Sequence, residues 1–251
     1  MTLARLLARI ATVAAALFAL LVAAVAVHRG PLPLDGAVRD YFAAVATADS
    51  RRLVIPLARL GAREVLLPVL AAGGLVLWWW RRSPGPLVLL AASYFGMALV
   101  VGPTKRLLHR PEPFDVAGDI GRSFPSGHAA QAALVYGLLA ALVAFGPVAR
   151  RTRALAAGAA LLACAGVGFA MLLRNSHWAS DLVAGYAVGV VWLAAPVALA
   201  LRAAPWLLGL TPGGPSDPPS AAGAPHRSPG RTTPLRSAGS DRTRPTAPRS
   251  G

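Results

Sequence analysis

Six long apolar runs constrain the fold of this 251-residue chain more than any other feature of its sequence. They lie at roughly 6–27, 65–80, 86–104, 128–148, 154–173 and 180–201. A helix needs about 20 apolar residues to cross the hydrocarbon core of a bilayer. Because backbone amides cannot stay unpaired in lipid, such runs are expected to be helical. The sequence therefore predicts an all-α, polytopic membrane protein with six transmembrane helices.

The basic residues indicate how these spans are oriented. The net charge of +15 would also suit a nucleic-acid-binding protein. However, the basic side chains lie between the apolar runs and in the tail, so we expect a membrane protein with no nucleic acid partner. Positive charge marks cytoplasmic loops. We expect the membrane to be the plasma membrane. Its cytoplasmic side then carries Arg5, Arg9 and the loops at 78–85 and 149–153. The loops at 28–64, 105–127 and 174–179 face outward.

Four regions follow from this reading. Residues 1–27 form a first transmembrane helix, although Arg5 and Arg9 before an apolar run also fit a secretory signal. Residues 28–64 form an extracytoplasmic loop that contains an amphipathic helix. Residues 65–203 form a core of five transmembrane helices. Residues 204–251, rich in Pro, Gly, Ser, Thr and Arg, are expected to be a disordered cytoplasmic tail.

Polar residues stand where the fourth apolar run begins, in the sequence Pro-Ser-Gly-His at 125–128. Polar groups at the edge of a span are costly and therefore suggest function. Ser126 suits the start of a helix, and Gly127 allows an anion to approach unpaired backbone amides at the positive end of the helix dipole. His128 in this first turn could donate a proton to a leaving oxygen. We interpret this stretch as a phosphate-binding helix start, whereas capping alone would explain only Ser126.

Two further polar groups lie on the same predicted face of the membrane. His177 and Asp181 are four residues apart and would share a face of a helix. A carboxylate that accepts from one imidazole nitrogen leaves the other as a nucleophile or base. Upstream, a cationic cluster suited to an anion contains Lys105, Arg106, His109 and Arg110, although such side chains can also extend to lipid headgroups. Lys105 is the single Lys among 25 basic residues.

Together these stretches resemble the type 2 phosphatidic acid phosphatase (acid phosphatase / vanadium haloperoxidase) superfamily, in its membrane lipid phosphatase branch. The family signature is K-x6-R-P, P-S-G-H and S-R-x5-H-x3-D. Lys105 and Pro113 fit the first motif, 125–128 matches the second, and His177 with Asp181 matches the end of the third.

The resemblance implies that a lipid phosphate or pyrophosphate, of the phosphatidate or polyprenyl type, is hydrolysed without a metal or other cofactor. In this scheme His177 attacks phosphorus, Asp181 orients His177, and His128 protonates the leaving oxygen. Lys105 and the amides around Ser126 and Gly127 hold the phosphoryl oxygens. The resemblance gives no oligomeric state.

Two signature arginines are absent, because Glu112 and Met171 occupy their positions. Arg110 lies two residues before Glu112, and Arg174 lies about one helical turn after Met171. We expect Arg110 and Arg174 to contact the phosphate instead. The two departures also leave open a non-catalytic protein that binds a lipid phosphate, and a phosphotransferase that uses the same intermediate.

Overall fold

The computed structural model describes residues 1–28, 30–113 and 121–210, which form one helical bundle. The described residues form nine α-helices and a short 3₁₀ helix, Pro205–Leu208. The helices are α1 (Leu3–His28), α2 (Pro33–Val45), α3 (Ala48–Leu53), α4 (Ile55–Arg59), α5 (Arg63–Arg81), α6 (Gly85–Leu108), α7 (Gly127–Ala144), α8 (Arg150–Leu173) and α9 (Ala179–Ala203). Most of the predicted tail, from residue 211 onward, lies outside the described residues.

Six helical segments of the described chain are long and apolar enough to cross a membrane. They are α1, the continuous segment Ala48–Arg81 that includes α5, and α6 to α9. The all-helical fold and the six apolar spans predicted from the sequence are therefore confirmed. In the predicted spans the boundaries shift by only a few residues, since the polar flanks decide where each helix ends.

The central helix of the bundle is α7, which packs against α5, α6, α8 and α9, while α1 packs along α9. The contact between α7 and α9 depends on glycine. A Cβ atom at Gly189 would lie 2.6 Å from the carbonyl oxygen of Ala130, and one at Gly185 would collide with the carbonyl oxygen of Ser126. Because glycine has no side chain, the backbones of α7 and α9 can approach closely at these two positions. The start of α7 is thereby held against the start of α9.

The loop at 28–64 contains three helices rather than the single amphipathic helix that the sequence predicts. Thr47 begins α3 by accepting a hydrogen bond from the Ser50 amide, and Pro56 lies in the first turn of α4. Both residue types favour the start of a new helix. Helix α2 packs on α8 and α9, and α4 packs on α8. The segment therefore covers one end of the bundle, where the polar residues lie.

Candidate active site

A small polar cavity opens at this end of the bundle and has a volume of about 330 Å³. Its lining consists of Gly61, Ala62, Arg63, Glu64, Lys105, Glu112, Arg122, Gly127, His128, Gln131 and His177. A larger groove of about 660 Å³ beside α7, α8 and α9 is lined almost wholly by apolar residues. The polar cavity holds two imidazoles and three cationic side chains, so we take it as the candidate site.

The two histidines of the cavity lie close together. The ring centroids of His128 and His177 are 6.3 Å apart, and the ring planes meet at 61°. His128 lies in the first turn of α7, whose N-cap is Ser126. His177 lies in the loop before α9, outside the helix on which we expected to find it. A reacting atom between the rings is within reach of both.

Asp181 lies directly behind His177. Its Oδ2 is 3.5 Å from Nδ1 of His177 and accepts a hydrogen bond of 3.1 Å from the backbone amide of Trp178. Asp181 therefore caps the start of α9 while it faces the imidazole, which explains why the four-residue spacing works without a continuous helix. The Asp181 side chain is fully buried, and that of His177 is 9% exposed. This arrangement directs Nε2 of His177 away from the carboxylate.

Lys105 reaches the cavity from the last turn of α6. Its Nζ donates to the carbonyl oxygen of Arg122 at 2.7 Å and to that of Ser123 at 3.4 Å. A Cβ atom added at Gly127 would lie 3.9 Å from Cε of Lys105. The ammonium group thus lies at the start of α7, where the sequence predicts a site for an anion.

Ser126 and Gly127 differ in their access to the cavity. Gly127 lines it, whereas Ser126 is fully buried. The Ser126 hydroxyl accepts a 3.4 Å hydrogen bond from the Ala129 amide, and the Ser126 amide donates to the carbonyl oxygen of Asp181 at 2.9 Å. The amide of Ser126 is therefore already engaged by the protein, and the part of this motif that lines the cavity is Gly127 and His128.

Comparison with known proteins gives one family match and one match of fold. The sequence profile of the PAP2 superfamily matches residues 85–204. Over that segment, just under half of its length, the chain is similar to the PAP2 superfamily. The fold is similar to the crystal structure of a transmembrane PAP2-type phosphatidylglycerolphosphate phosphatase from Bacillus subtilis. The TM-score is 0.64 at 23% sequence identity, over 73% of this chain and 92% of the other. Among curated proteins, no significant match to the chain is found.

Arg110 does not lie where its nearness to the first PAP2 motif suggested. Its side chain is fully buried and does not line the cavity. Nη1 donates to Oδ1 of Asp181 at 2.5 Å, and Nη2 donates to Oδ2 of Asp35 at 2.6 Å. A guanidinium group held by two carboxylates has no free face for a phosphate. The expected contact between Arg110 and the phosphate is therefore corrected to an internal ion pair.

Arg174 is also absent from the cavity lining. It ends α8 and is half-buried, and its charge is close enough to His128 to act on it electrostatically. Met171, at the position of the second absent PAP2 arginine, is buried in an apolar cluster with Val54 and Ala58. The segment around α3 and α4 thus packs where the signature would have placed a charge.

Sequence reasoning missed two cations of the cavity, Arg63 and Arg122. Arg122 comes three residues before the second PAP2 motif, so its nearness to the helix start predicted to bind phosphate could have identified it. Arg63 begins α5 and reaches the cavity because of the way the preceding segment packs. No local sequence pattern predicts that packing. His109, at the end of α6, is exposed and does not line the cavity.

The turn before α5 forms a wall of the cavity. Tyr136 on α7 donates a hydrogen bond of 2.9 Å to the carbonyl oxygen of Leu60. At the next residue, a Cβ atom added to Gly61 would lie 3.0 Å from Cβ of His128 and 2.8 Å from Cγ1 of Val167. Glycine therefore lets the turn press directly on His128.

In the described part of the chain, no group of three or more His, Cys, Asp or Glu residues could hold a metal ion.

Proposed function

We propose that the protein is a membrane phosphatase that hydrolyses a lipid phosphate or pyrophosphate through a phosphohistidine at His177. The observation that carries this proposal is the pair of imidazoles, His128 and His177, which face one small cavity with ring centroids 6.3 Å apart. Asp181 behind His177 supports the assignment of roles, because a carboxylate beside Nδ1 favours the tautomer with a free Nε2. His177 is then the nucleophile and His128 the general acid.

The reaction proceeds in two steps. Nε2 of His177 forms a bond to phosphorus, and the bond between phosphorus and the lipid oxygen breaks. The electron pair leaves on that oxygen, which receives a proton from His128. Water then attacks the phosphohistidine while His128 takes its proton. The nitrogen–phosphorus bond breaks, which releases inorganic phosphate and restores neutral His177.

The charges that surround the cavity support a phosphate as its occupant. Lys105, Arg63 and Arg122 line it together with the start of α7 at Gly127. These groups can neutralise charge that develops on the phosphoryl oxygens. We assign phosphate contact to Arg122 and Arg63 in place of the arginines missing from the signature, with Lys105 as the third cation.

The location of the substrate follows from the spans and the charge pattern. A lipid phosphate can present its headgroup to the cavity while its chains stay beside the apolar helices. The positive-inside rule supports a plasma membrane protein whose cavity faces the extracytoplasmic side and whose tail is cytoplasmic. A reporter fused after residue 204 should then be cytoplasmic.

The test is turnover by purified protein in detergent against phosphatidate, phosphatidylglycerolphosphate and a polyprenyl diphosphate. We expect phosphate release from at least one of them and acid-quenched protein that carries labelled phosphate. His177→Ala should abolish both signals, whereas His109→Ala should keep them, because His109 is exposed and outside the cavity lining. Full activity in His177→Ala would rule out the mechanism.

A non-catalytic role in binding lipid phosphate has one observation in its favour. Glu112, which replaces a signature arginine, lines the cavity and adds negative charge there. This alternative predicts saturable binding of the lipid phosphates with no release of phosphate and no labelled protein. A phosphotransferase would instead label the protein and pass the phosphoryl group to an added alcohol in preference to water.

A further inference from the structure

A buried ionic cluster connects helix α2 with the proposed nucleophile. We propose that Asp35 is a positioning residue that acts on His177 through Arg110 and Asp181, a role that rests on the function proposed above. Asp35 lies in the first turn of α2, far along the chain from the PAP2 motifs. Asp35 and Arg110 are each 1% exposed, and Asp181 is fully buried.

The contacts of Asp35 converge on the start of α9. Its Oδ2 accepts from Nη2 of Arg110 at 2.6 Å and from the hydroxyl of Ser180 at 2.7 Å. Its Oδ1 accepts from the backbone amide of Ser180 at 2.8 Å. Asp35 therefore caps α9 from another helix, at the residue next to Asp181.

Arg110 extends this contact to Asp181 itself. Its Nη1 donates to Oδ1 of Asp181 at 2.5 Å and to the hydroxyl of Ser180 at 2.8 Å. Because Oδ1 is held in this way, the Asp181 carboxylate cannot rotate without breaking an ion pair. Its other oxygen, Oδ2, is thereby kept toward Nδ1 of His177, 3.5 Å away. The orientation of the nucleophile thus depends on a chain of contacts that begins at Asp35.

The cluster also carries a net negative charge. Burial acts to raise the pKa of Asp35, but hydrogen bonds from Ser180, Leu32 and Arg110 outweigh burial and leave that pKa below its ordinary value. Asp35 is therefore ionised at neutral pH. Two carboxylates against one guanidinium leave one negative charge that is not paired within the cluster, and Lys105 is close enough to Asp181 to interact with it electrostatically. When Nε2 bonds to phosphorus and Nδ1 keeps its proton, the ring becomes positive, and this charge stabilises it.

The same contacts would also dock α2 onto the bundle, so the test must separate docking from positioning. Asp35→Asn removes the negative charge and one acceptor while it keeps the size of the side chain. Asp40→Asn is a matched control on the same helix, because Asp40 is exposed and pairs at the surface with Arg39. Ser180→Ala removes the hydroxyl between Arg110 and Asp35 without any change of charge.

We expect Asp35→Asn to lower kcat about tenfold or more, with KM changed less than twofold and phosphohistidine formation slowed in a single turnover. Ser180→Ala should lower kcat by a smaller factor with the same unchanged KM, and Asp40→Asn should match the wild type. If Asp35→Asn does not fold, the kcat of Ser180→Ala decides between the two roles.

If the folded Asp35→Asn protein keeps the wild-type kcat, the cluster only docks α2, and the positioning role alone is overturned. If Asp35→Asn does not fold, a wild-type kcat in Ser180→Ala leads to the same conclusion. An inactive wild-type protein, by contrast, would overturn the proposed function and this role together.

Discussion

Two buried or partly buried arginines, one at each end of the bundle, donate hydrogen bonds to different kinds of acceptor. Arg110 lies at the cavity end and donates to the carboxylates of Asp35 and Asp181. Arg81 ends α5 at the opposite end and donates to the carbonyl oxygens of Leu142 at 2.7 Å and Leu208 at 3.4 Å. Carbonyl partners are neutral, whereas carboxylates hold charge. We infer that Arg81 joins helix ends and that Arg110 maintains charges that the reaction uses.

The sharpest test of this comparison is to remove each guanidinium group. Arg110→Gln leaves two buried carboxylates without their counter-ion, which costs about 3–5 kcal/mol of stability. We also expect kcat to fall at least about 100-fold, because Asp181 loses its fixed orientation. Arg81→Gln removes hydrogen bonds to neutral groups, which costs about 1.5–3 kcal/mol. It should leave kcat unchanged, as measured by turnover and thermal unfolding in detergent.

The comparison would fail if Arg81→Gln lost activity as steeply as Arg110→Gln while remaining folded. Such a result would place the opposite end of the bundle in the catalytic cycle.

The next largest effect is expected at the cavity mouth. Arg122→Ala removes a charged donor from the cavity, and we predict a loss in kcat/KM of about 10- to 100-fold. Arg106→Ala is the control, since Arg106 follows Lys105 but is exposed and outside the cavity lining. Arg174→Ala should have a smaller effect than Arg122→Ala. A larger loss in Arg174→Ala would restore the assignment that the sequence favoured.

Glycines at the two ends provide a third test. A Cβ atom at Gly61 would press on His128, whereas one at Gly146 would lie 2.7 Å from the ring of Trp80 and 2.9 Å from Nη2 of Arg81. Gly61→Ala should displace His128, the proposed general acid, and lower kcat about tenfold. Gly146→Ala should lower the unfolding temperature and leave kcat intact. Equal kcat values in the two variants would show that the turn at Gly61 does not position His128.

The smallest expected effect concerns acid stability. The pKa of Asp35 is lower in the folded protein than its ordinary value, because hydrogen bonds outweigh burial. The ionised Asp35 therefore stabilises the fold at pH values above the pKa of Asp35 in the unfolded chain. This stabilisation is lost as pH falls through the pKa of Asp35 in the folded protein. The unfolding temperature of the wild type should fall more steeply in this acidic range than that of Asp35→Asn. Parallel curves for the two proteins would contradict this assignment.

The sequence was most informative where function depends on short motifs. Apolar runs predicted the spans, and motif spacing led to His128, His177 and Lys105, which the fold brings to one cavity. Asp181 also lies where the spacing predicted, although through a helix cap rather than a shared helix face.

The cations were harder to predict, because their positions depend on contacts between distant parts of the chain. Arg110 is two residues from the signature position, yet it points to Asp35, a partner 75 residues away. Met171 is covered by the segment around α3 and α4, a contact between distant parts of the chain. An arginine introduced at 171 would therefore be buried without a partner, which is destabilising. We therefore expect Met171→Arg to destabilise the protein without adding a contact to the phosphate.

The contacts of Lys105 explain why the one lysine in this arginine-rich chain is suited to its position. An ammonium group has three donors, and two of them are directed to the carbonyl oxygens of Arg122 and Ser123. One donor remains for an incoming anion. The planar fork of an arginine holds its donors in fixed directions, whereas an ammonium group can rotate about its last bond to suit a loop carbonyl and a ligand together. A bound anion would then share the Nζ atom of Lys105 with the backbone at Arg122 and Ser123. Binding of the anion can therefore change the hydrogen bonds that hold this part of the backbone.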